Sequence, residues 1–377
     1  MLYVTFNDAP SGIYFSQVTD VCKFLKQQVS VPNVKLIAFI SIRSFWTKRA
    51  LIRTELPGAI VIPMFPTMRL WKFNLLTLSI LTIFFNGSRI IARGPYACWL
   101  ALSLRKFRYT PTVVFDARGA YAAELNEYSV VEDKSVKDGI TRLEAKVLKE
   151  ADFRMAVSSK LVSYWKEIYG YDSDEHAVIP CTLNSSFTAA LPDSATLERC
   201  KIALGFNSDD VILTYSGSSA GWQSFSMVDE FLTQLIGANP KLKVLFLSPS
   251  LPEGLVSSRY FPGRILNKWV KPAEVSALLA VCDYGLIIRE RSVTNRVSSP
   301  VKFAEYLSCG LSILISAEIG DYSEFVSANS CGTIIHDIRT PLVLHPISRA
   351  LKMQYHALAL KEFSKASFKT SYQQIAR

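Results

Sequence analysis

The stretch SSPVKFAEYLSCGLSILI, residues 298–315, decides the fold class, because it combines a helix start, a helix, a glycine stop and a buried strand. Pro300 suits a first helical turn, the serines before it provide cap oxygens and N–H donors, and Lys302 adds a cation. Glu305 lies one turn further on the same face as Lys302. The pattern predicts an anion site with Ser299, Pro300 and Lys302 beside phosphates and Glu305 near sugar hydroxyls. The alternative is a plain helix cap with a surface Lys–Glu pair.

A second apolar strand lies just upstream of this stretch. The segment DYGLIIRER, residues 283–291, ends in charged residues where a buried strand would end at its carboxyl side. Ligands of open α/β sheets bind at that edge. Arg289 and Arg291 are therefore candidate phosphate-binding cations, and their position favours the anion site over the surface pair.

Short β-rich runs alternate with helix-length segments along the whole chain, which indicates an α/β fold with two doubly wound, Rossmann-like domains. The length of 377 residues agrees with two domains. We predict a first domain at 1–186, a polar linker at 187–200, a second domain at 201–357 and C-terminal helices at 358–377 that cross back to the first. The predicted strands are 2–6, 34–42, 59–64, 89–92, 112–115, 154–157 and 176–179, then 211–215, 243–247, 264–265, 284–288, 312–315 and 332–335.

The composition is globular, with 49% hydrophobic and 20% charged residues, which excludes a disordered or fibrous chain. The net charge of +10 is concentrated in residues 1–110, where 14 Lys and Arg stand against three acidic residues. Such asymmetry predicts a surface for an anionic partner. The seven cysteines are dispersed without a CxxC pair, which is typical of reduced thiols in a cytoplasmic protein.

The basic region mixes cations with aromatic residues at 43–49 and 65–73, beside the apolar run 73–85. That run has 13 residues, whereas a membrane span needs about 20. We therefore expect a soluble or peripheral protein whose basic surface rests on anionic lipid. The alternative is a solvated basic face over a buried helix at 73–85. No nucleic-acid-binding module is recognisable.

The first domain offers its own candidates. Asp116 and Arg118 follow a predicted strand and precede a glycine, so they are expected to face a ligand cleft and to orient an acceptor hydroxyl or the donor sugar. An Asp–Arg pair that closes a loop is an equal alternative. Glu124, Gly12 and Arg93 lie near predicted strand ends and are further candidates for the cleft or the acceptor, although Gly12 could simply form a turn.

The order of motifs in the second half resembles the donor domain of GT-B glycosyltransferases of family four, and the resemblance extends over about residues 110–335. Its upstream part is similar to the end of the acceptor domain and to the first donor-domain loop. The matching segments are ADFRMAVS (151–158), VIP (178–180), YSGS (215–218), KPAEV (271–275), CDYG (282–285), PVKFAEYLSCG (300–310), GD (320–321) and CG (331–332).

This resemblance implies two domains facing across a cleft and transfer of a sugar from a nucleotide-diphosphate donor, with retention and usually without a metal or other cofactor. By position, Glu305 would bind the ribose hydroxyls, and Ser299, Pro300 and Lys302 would lie beside the diphosphate. Gly217 and Ser218 would form the loop that the diphosphate approaches.

Two departures from the family pattern concern the donor site. The position eight residues before Glu305, where the family has a second glutamate, is Val297. The loop 217–223 also lacks the Arg and Lys that usually bind the pyrophosphate. A metal-free diphosphate leaving group needs charge stabilisation, so Arg289, Arg291 and Lys302 are expected to supply it.

The sequence thus predicts a glycosyltransferase in bacterial surface polysaccharide assembly, with Asp116, Arg118, Arg289 and Lys302 as candidate catalytic residues. The acceptor would be a lipid-linked or membrane-proximal glycan on the cytoplasmic side. A GT-B sugar-nucleotide epimerase or hydrolase is one alternative. A non-catalytic sugar-nucleotide-binding protein is the other.

Overall fold

The computed structural model describes residues 1–29, 31, 33–107, 109–128, 134–217 and 223–377, with the backbone alone at 134–136. The predicted fold class is confirmed, because the described strands form two parallel sheets with flanking helices. Every predicted strand is present, with its ends displaced by at most three residues. The chain divides into a first unit, Met1–Asn184 with Lys365–Arg377, and a second unit, Ser185–Ser364.

The described part of the first unit contains seven strands and the helices around them. The strands are β1 (Leu2–Phe6), β2 (Lys35–Ile40), β3 (Ile60–Pro63), β4 (Arg89–Arg93), β5 (Thr112–Ala117), β6 (Phe153–Ala156) and β7 (His176–Val178). The helices are α1 (Gly12–Tyr14), α2 (Asp20–Gln27), α3 (Phe45–Glu55), α4 (Asn74–Phe84), α5 (Gly94–Ser103), α6 (Tyr121–Glu127), α7 (Lys134–Glu150) and α8 (Ser159–Tyr169). One π-helical segment, Phe15–Thr19, joins α1 to α2, and 3₁₀ turns lie at Met68–Phe73 and Leu104–Phe107.

Among the residues that the structure describes, the second unit contains six strands. They are β8 (Val211–Ser216), β9 (Leu242–Leu247), β10 (Ile265–Lys268), β11 (Tyr284–Ile287), β12 (Ser312–Ser316) and β13 (Gly332–Ile335). Its helices are α9 (Ser194–Ala203), α10 (Phe225–Ala238), α11 (Ser257–Tyr260), α12 (Pro272–Val281), α13 (Val293–Arg296), α14 (Val301–Ser308), α15 (Tyr322–Asn329) and α16 (Arg349–Phe363). The final helix, α17 (Lys369–Ala376), belongs to the first unit.

Both sheets have the strand order of a doubly wound fold. The first sheet runs β3-β2-β1-β4-β5-β6-β7 and the second runs β10-β9-β8-β11-β12-β13. The order reverses between β1 and β4 in the first unit and between β8 and β11 in the second. Ligands of such sheets bind outside the carboxyl ends of the strands at this reversal, so each unit has one favoured position for a site.

The unit boundaries differ in detail from the predicted domain boundaries. The second unit begins at Ser185, and α9 occupies the latter part of the expected linker 187–200. Asp193 starts this helix by accepting a hydrogen bond from the Thr196 N–H at 2.7 Å. At the other end α16 keeps the chain in the second unit as far as Ser364 rather than residue 357.

The C-terminal tail is part of the first unit because it contributes to its core. Tyr372 and Ile375 of α17 are buried in the same hydrophobic cluster as Tyr3 and Val18. The Arg89 guanidinium donates to the Ile375 carbonyl at 2.9 Å, which satisfies a C-terminal carbonyl of the helix. Residues 365–377 are therefore structural components of the unit that contains the N-terminus.

A glycine and a tyrosine set the distance between sheet and helix in the second unit. A Cβ atom at Gly285 on β11 would lie 2.2 Å from the Tyr306 ring, so only glycine leaves room for this side chain of α14. The Tyr306 hydroxyl then accepts a hydrogen bond from the Ser216 N–H at 2.7 Å. The second turn of α14 is thereby held beside the carboxyl end of β8.

Helix α4 departs from the expectation of a buried helix at 73–85. Its buried side chains are Asn74, Leu78 and Thr82, whereas Leu76, Ile80, Ile83 and Phe84 are exposed. No helix in the described part of the chain is long and apolar enough to cross a bilayer.

Candidate functional site

Two cations converge on one amide oxygen at the strand reversal of the second unit. The Lys302 ammonium donates to Gln223 Oε1 at 3.1 Å, and Arg289 Nη2 donates to the same oxygen at 3.4 Å. All three side chains are buried. A neutral amide cannot balance two positive charges, so this cluster favours an additional anion.

Arg289 is held in place by the strand that precedes it and by a short helix. It follows the carboxyl end of β11, and its N–H donates to Ser316 Oγ at the end of β12 at 2.9 Å. Its Nη1 donates to Asn295 Oδ1 on α13 at 3.3 Å. Asn295 is itself almost fully buried, and its amide donates to the Glu290 carbonyl at 3.1 Å. The guanidinium is therefore oriented by rigid neighbours.

Lys302 projects from the first turn of α14 toward the end of β8. Its ammonium lies 3.9 Å from the centre of the Tyr215 ring, which indicates a cation–π contact. Gly217 follows β8 with φ +132°, a conformation that favours glycine. A Cβ atom at Gly217 would lie 3.5 Å from the Lys302 Nζ, so the exposed backbone of the loop lies directly beside the ammonium.

The surroundings of Lys302 in this cluster disfavour its charged form. Burial lowers the pKa of Lys302 well below its usual value, and the neighbouring Arg289 lowers it further, while Glu305 acts in the opposite direction. A bound anion would offset both effects. The described residues give Lys302 no carboxylate at ion-pair distance, so its charge is stabilised mainly by Gln223 and the Tyr215 ring.

Glu305 lies one helical turn after Lys302, as expected from the spacing. Burial raises the pKa of Glu305 to about 7, and the Lys302 charge lowers it in part. Its half-buried carboxylate accepts no hydrogen bond from the residues that the structure describes. A carboxylate in this state can accept hydrogen bonds from hydroxyl groups of a ligand.

The remaining residues predicted for the donor site have varied positions. The prediction that a serine side chain caps α14 is wrong, because Pro300 occupies the N-cap position and no side-chain hydrogen bond caps the helix there. The Ser299 hydroxyl is instead 2.7 Å from the Tyr322 hydroxyl. Arg291 does not join the cluster, since its exposed guanidinium lies 3.8 Å from Glu318. Ser218 lies outside the described residues.

In the first unit, Arg93 and two carboxylates occupy the corresponding strand reversal. Arg93 ends β4, and its Nε donates to Asp8 Oδ2, just after β1, at 2.7 Å. Its Nη1 lies 3.5 Å from Asp116 Oδ2. Burial lowers the pKa of Arg93, but the Asp8 and Asp116 charges outweigh this, so the net shift is upward. Arg93 therefore bridges the reversal as a fully charged guanidinium.

Asp116 is enclosed by its partners. It is 1% exposed, and its two oxygens interact with the Tyr3 hydroxyl, Arg93 and Arg118, the last at 3.4 Å. Arg118 also donates to Gln17 Oε1 at 3.1 Å. This arrangement resembles the loop-closing pair more than a ligand-facing carboxylate. Asp116 and Arg118 are thus positioned to hold Arg93 and the β5 loop in place.

Gly12 and Glu124 lie apart from this network. Gly12 starts α1 in an exposed position, with no heavy atom within 4 Å of where its Cβ would be. Glu124 is half-buried on the first turn of α6, where burial raises its pKa. No described hydrogen bond links either residue to Asp116 or Arg93.

Sequence reasoning missed the residues that complete both clusters. Tyr215 lies in the recognised YSGS segment, and Gln223 lies at the end of the loop 217–223. Their uncharged side chains gave no signal of a site. Asp8 immediately follows a predicted strand, which was a usable signal. Tyr3 lies inside a strand, and only the three-dimensional structure brings its hydroxyl to Asp116.

Comparisons with known proteins identify the fold. No protein-family model matches the sequence, and no curated protein matches it significantly. HepE from Anabaena, solved with UDP, aligns over 99% of this chain and 98% of its own at 12% identity and a TM-score of 0.73. A glycosyltransferase from Rickettsia africae covers 100% and 98% at 14% identity and a TM-score of 0.71. Sucrose-phosphate synthase from Thermosynechococcus elongatus covers 99% and 97% at 13% identity and a TM-score of 0.69. At such low identities the likeness establishes the architecture, and the chain has the two-domain α/β fold of GT-B proteins.

Proposed function

We propose that the protein is a glycosyltransferase that uses a nucleotide-diphospho-sugar donor, with the diphosphate bound at the Lys302–Arg289 cluster. The observation that carries this proposal is the convergence of these two buried cations on the neutral oxygen of Gln223. The similar fold of HepE, which was solved with UDP and with UDP-glucose, supports it. Donor binding and fold together favour transfer of a sugar.

The chemistry follows from the charges of the cluster. When the glycosidic bond to the donor breaks, negative charge develops on the diphosphate, and cations already in position stabilise it without reorganisation. Lys302 and Arg289 supply this stabilisation, and the backbone at Gly217 allows the phosphates to approach. Glu305 accepts hydrogen bonds from the ribose hydroxyls. With retention, the acceptor oxygen bonds to the anomeric carbon on the face that the diphosphate leaves, and an oxygen of the leaving phosphate takes the proton of the acceptor hydroxyl.

The acceptor belongs to the first unit in this proposal. The exposed Gly12 loop would contact it, while Asp116 and Arg118 help to hold Arg93 in place at the strand reversal. We propose a lipid-linked or membrane-proximal glycan as the acceptor, on the cytoplasmic side of an anionic membrane, in surface polysaccharide synthesis. The cationic surplus of residues 1–110 supports this assignment.

A donor screen tests the proposal. The protein is incubated with a panel of radiolabelled nucleotide sugars, with and without bacterial lipid extract, and the free nucleoside diphosphate and labelled lipid are measured. Lipid-dependent release of nucleotide with label in the lipid fraction is expected. If the protein bound nucleotide sugar without transferring or hydrolysing it, the glycosyltransferase proposal would be rejected, and only the proposed binding site would be retained.

A non-catalytic sugar-nucleotide-binding protein is the second candidate. It is favoured by Val297, which is fully buried and apolar where the family pattern has its first glutamate. The same screen separates the two candidates. An epimerase or hydrolase would release nucleotide or a new sugar isomer without any need for lipid.

A further inference from the structure

Helix α4 presents its apolar side to solvent. The exposed residues are Phe73, Leu76, Ile80, Ile83 and Phe84, each more than half accessible. They recur at intervals of three and four residues from the turn before the helix to its end, so they form one continuous stripe. We call these five residues the α4 apolar face.

Two polar residues on the inner side of the same helix make hydrogen bonds with backbone groups. Asn74 is buried, donates to the Phe65 and Trp71 carbonyls at 2.8 Å each, and accepts from the Phe65 N–H at 3.0 Å. Thr82 is also buried and donates to the Leu78 carbonyl at 2.7 Å. The bonds between Asn74 and Phe65 therefore tie the start of the helix to the loop before it, while Leu78 packs inward and the apolar face points outward.

The segment of the sequence that contains this face has basic residues but no acidic ones. Between Glu55 and Asp116 the sequence contains no Asp or Glu, but seven Lys and Arg. Arg69, Lys72 and Lys106 are exposed. The Lys72 and Lys106 ammonium groups lie 5.2 and 6.0 Å from the centre of the Trp99 ring, which holds the two charges near each other.

We infer that the α4 apolar face inserts into the interfacial layer of an anionic lipid bilayer, with Arg69, Lys72 and Lys106 at the headgroups. An amphipathic helix with cations at its margin binds such a surface through apolar burial and electrostatic attraction. A second copy of this chain is a poorer occupant, because it would place like charges against each other. This inference rests on the membrane-proximal acceptor of the proposed function and assigns the contact to one helix.

Vesicle co-sedimentation tests the inference without any donor substrate. The full chain is mixed with phosphatidylcholine vesicles that contain either no anionic lipid or about a third phosphatidylglycerol. We expect binding to the anionic vesicles that weakens with salt. The double variant Ile80→Gln/Phe84→Gln should bind at least about tenfold more weakly. The matched control, Ile202→Gln/Met353→Gln, removes exposed apolar side chains from helices of the second unit and should bind as the unchanged protein does.

Two further variants test the electrostatic contribution to vesicle binding. Lys72→Gln and Lys106→Gln should each reduce binding about fivefold, since a basic residue near an anionic surface contributes about 1 kcal/mol. Circular dichroism and thermal unfolding of each variant establish that the overall fold is retained. No binding of the unchanged protein to anionic vesicles, or equal binding of the α4 double variant, would overturn the inference. So would a dimer that this variant dissociates. None of these outcomes bears on sugar transfer from the donor, which the donor screen measures separately and which decides the proposed function.

Discussion

The two strand reversals of this protein share one topology but differ in electrostatics. In the first unit, Arg93 is paired with the carboxylates of Asp8 and Asp116, so the reversal is closed by the chain's own charges. In the second unit, Lys302 and Arg289 meet at the neutral oxygen of Gln223. In the first arrangement the chain's own carboxylates balance the cation. In the second, both cations donate to one neutral oxygen, so a bound anion would stabilise the pair, which is why we assign the donor diphosphate there.

The largest expected effect comes from breaking the balanced network. Arg93→Met would leave the buried Asp116 and the half-buried Asp8 without their shared cation, and removal of one partner of a buried pair costs about 3–5 kcal/mol. Chemical denaturation should show a loss of this size in the first unit. Arg291→Met is the exposed control. If Arg93→Met lowered the free energy of unfolding as little as this control does, the network would be solvated and open to ligand.

The opposite result is expected in the second unit. Lys302→Met removes a buried cation that lies beside Arg289, so the stability of the unit should be unchanged or should rise by about 1 kcal/mol. Affinity for inorganic pyrophosphate should nevertheless fall at least about tenfold, because a charge-assisted contact is lost. Calorimetry measures the binding and thermal unfolding the stability.

Lys352→Met is the matched control for this substitution. Lys352 is the other buried lysine whose pKa burial lowers in this unit, but its ammonium donates to the Ala280 carbonyl at 3.1 Å and lies near Asp283. Its loss should reduce stability and leave pyrophosphate affinity intact. If Lys302→Met behaved in the same way, Lys302 would be a structural residue and the assignment of the diphosphate would be wrong.

The sequence predicted the sheets well because parallel, doubly covered strands are short apolar runs between helices, as β1 and β13 illustrate with identical bounds. It also placed Lys302 and Glu305 on one helix start. It could not separate Arg289 from Arg291, since both follow β11 and only packing against Asn295 turns one inward. Nor could it orient α4, because Asn74 makes its hydrogen bonds with a loop nine residues away in sequence.

Glu305 predicts a pH dependence of ribose recognition. Burial raises its pKa to about 7, whereas ribose hydroxyls bind the ionised form, so ligand binding should release a proton. The ratio of affinities for a ribonucleoside diphosphate and for pyrophosphate should rise about tenfold from about pH 6 to about pH 8. The ratio cancels the titration of Lys302, which both ligands affect. In Glu305→Gln it should be lower and independent of pH, and a ratio that still rises would place the ribose elsewhere.

The smallest effect is expected at Arg291, and it sharpens the contrast between buried and exposed cations. Arg291 is 74% exposed and lies 3.8 Å from Glu318, and a surface pair of this kind contributes about 0–1 kcal/mol. Arg291→Ala should therefore change pyrophosphate affinity by no more than about twofold, with stability nearly unaltered. The same titration used for Lys302→Met measures it. A loss as large as that of Lys302→Met would mean that the diphosphate is bound at the exposed Arg291, because Arg291 makes no described contact with the buried cluster through which it could act.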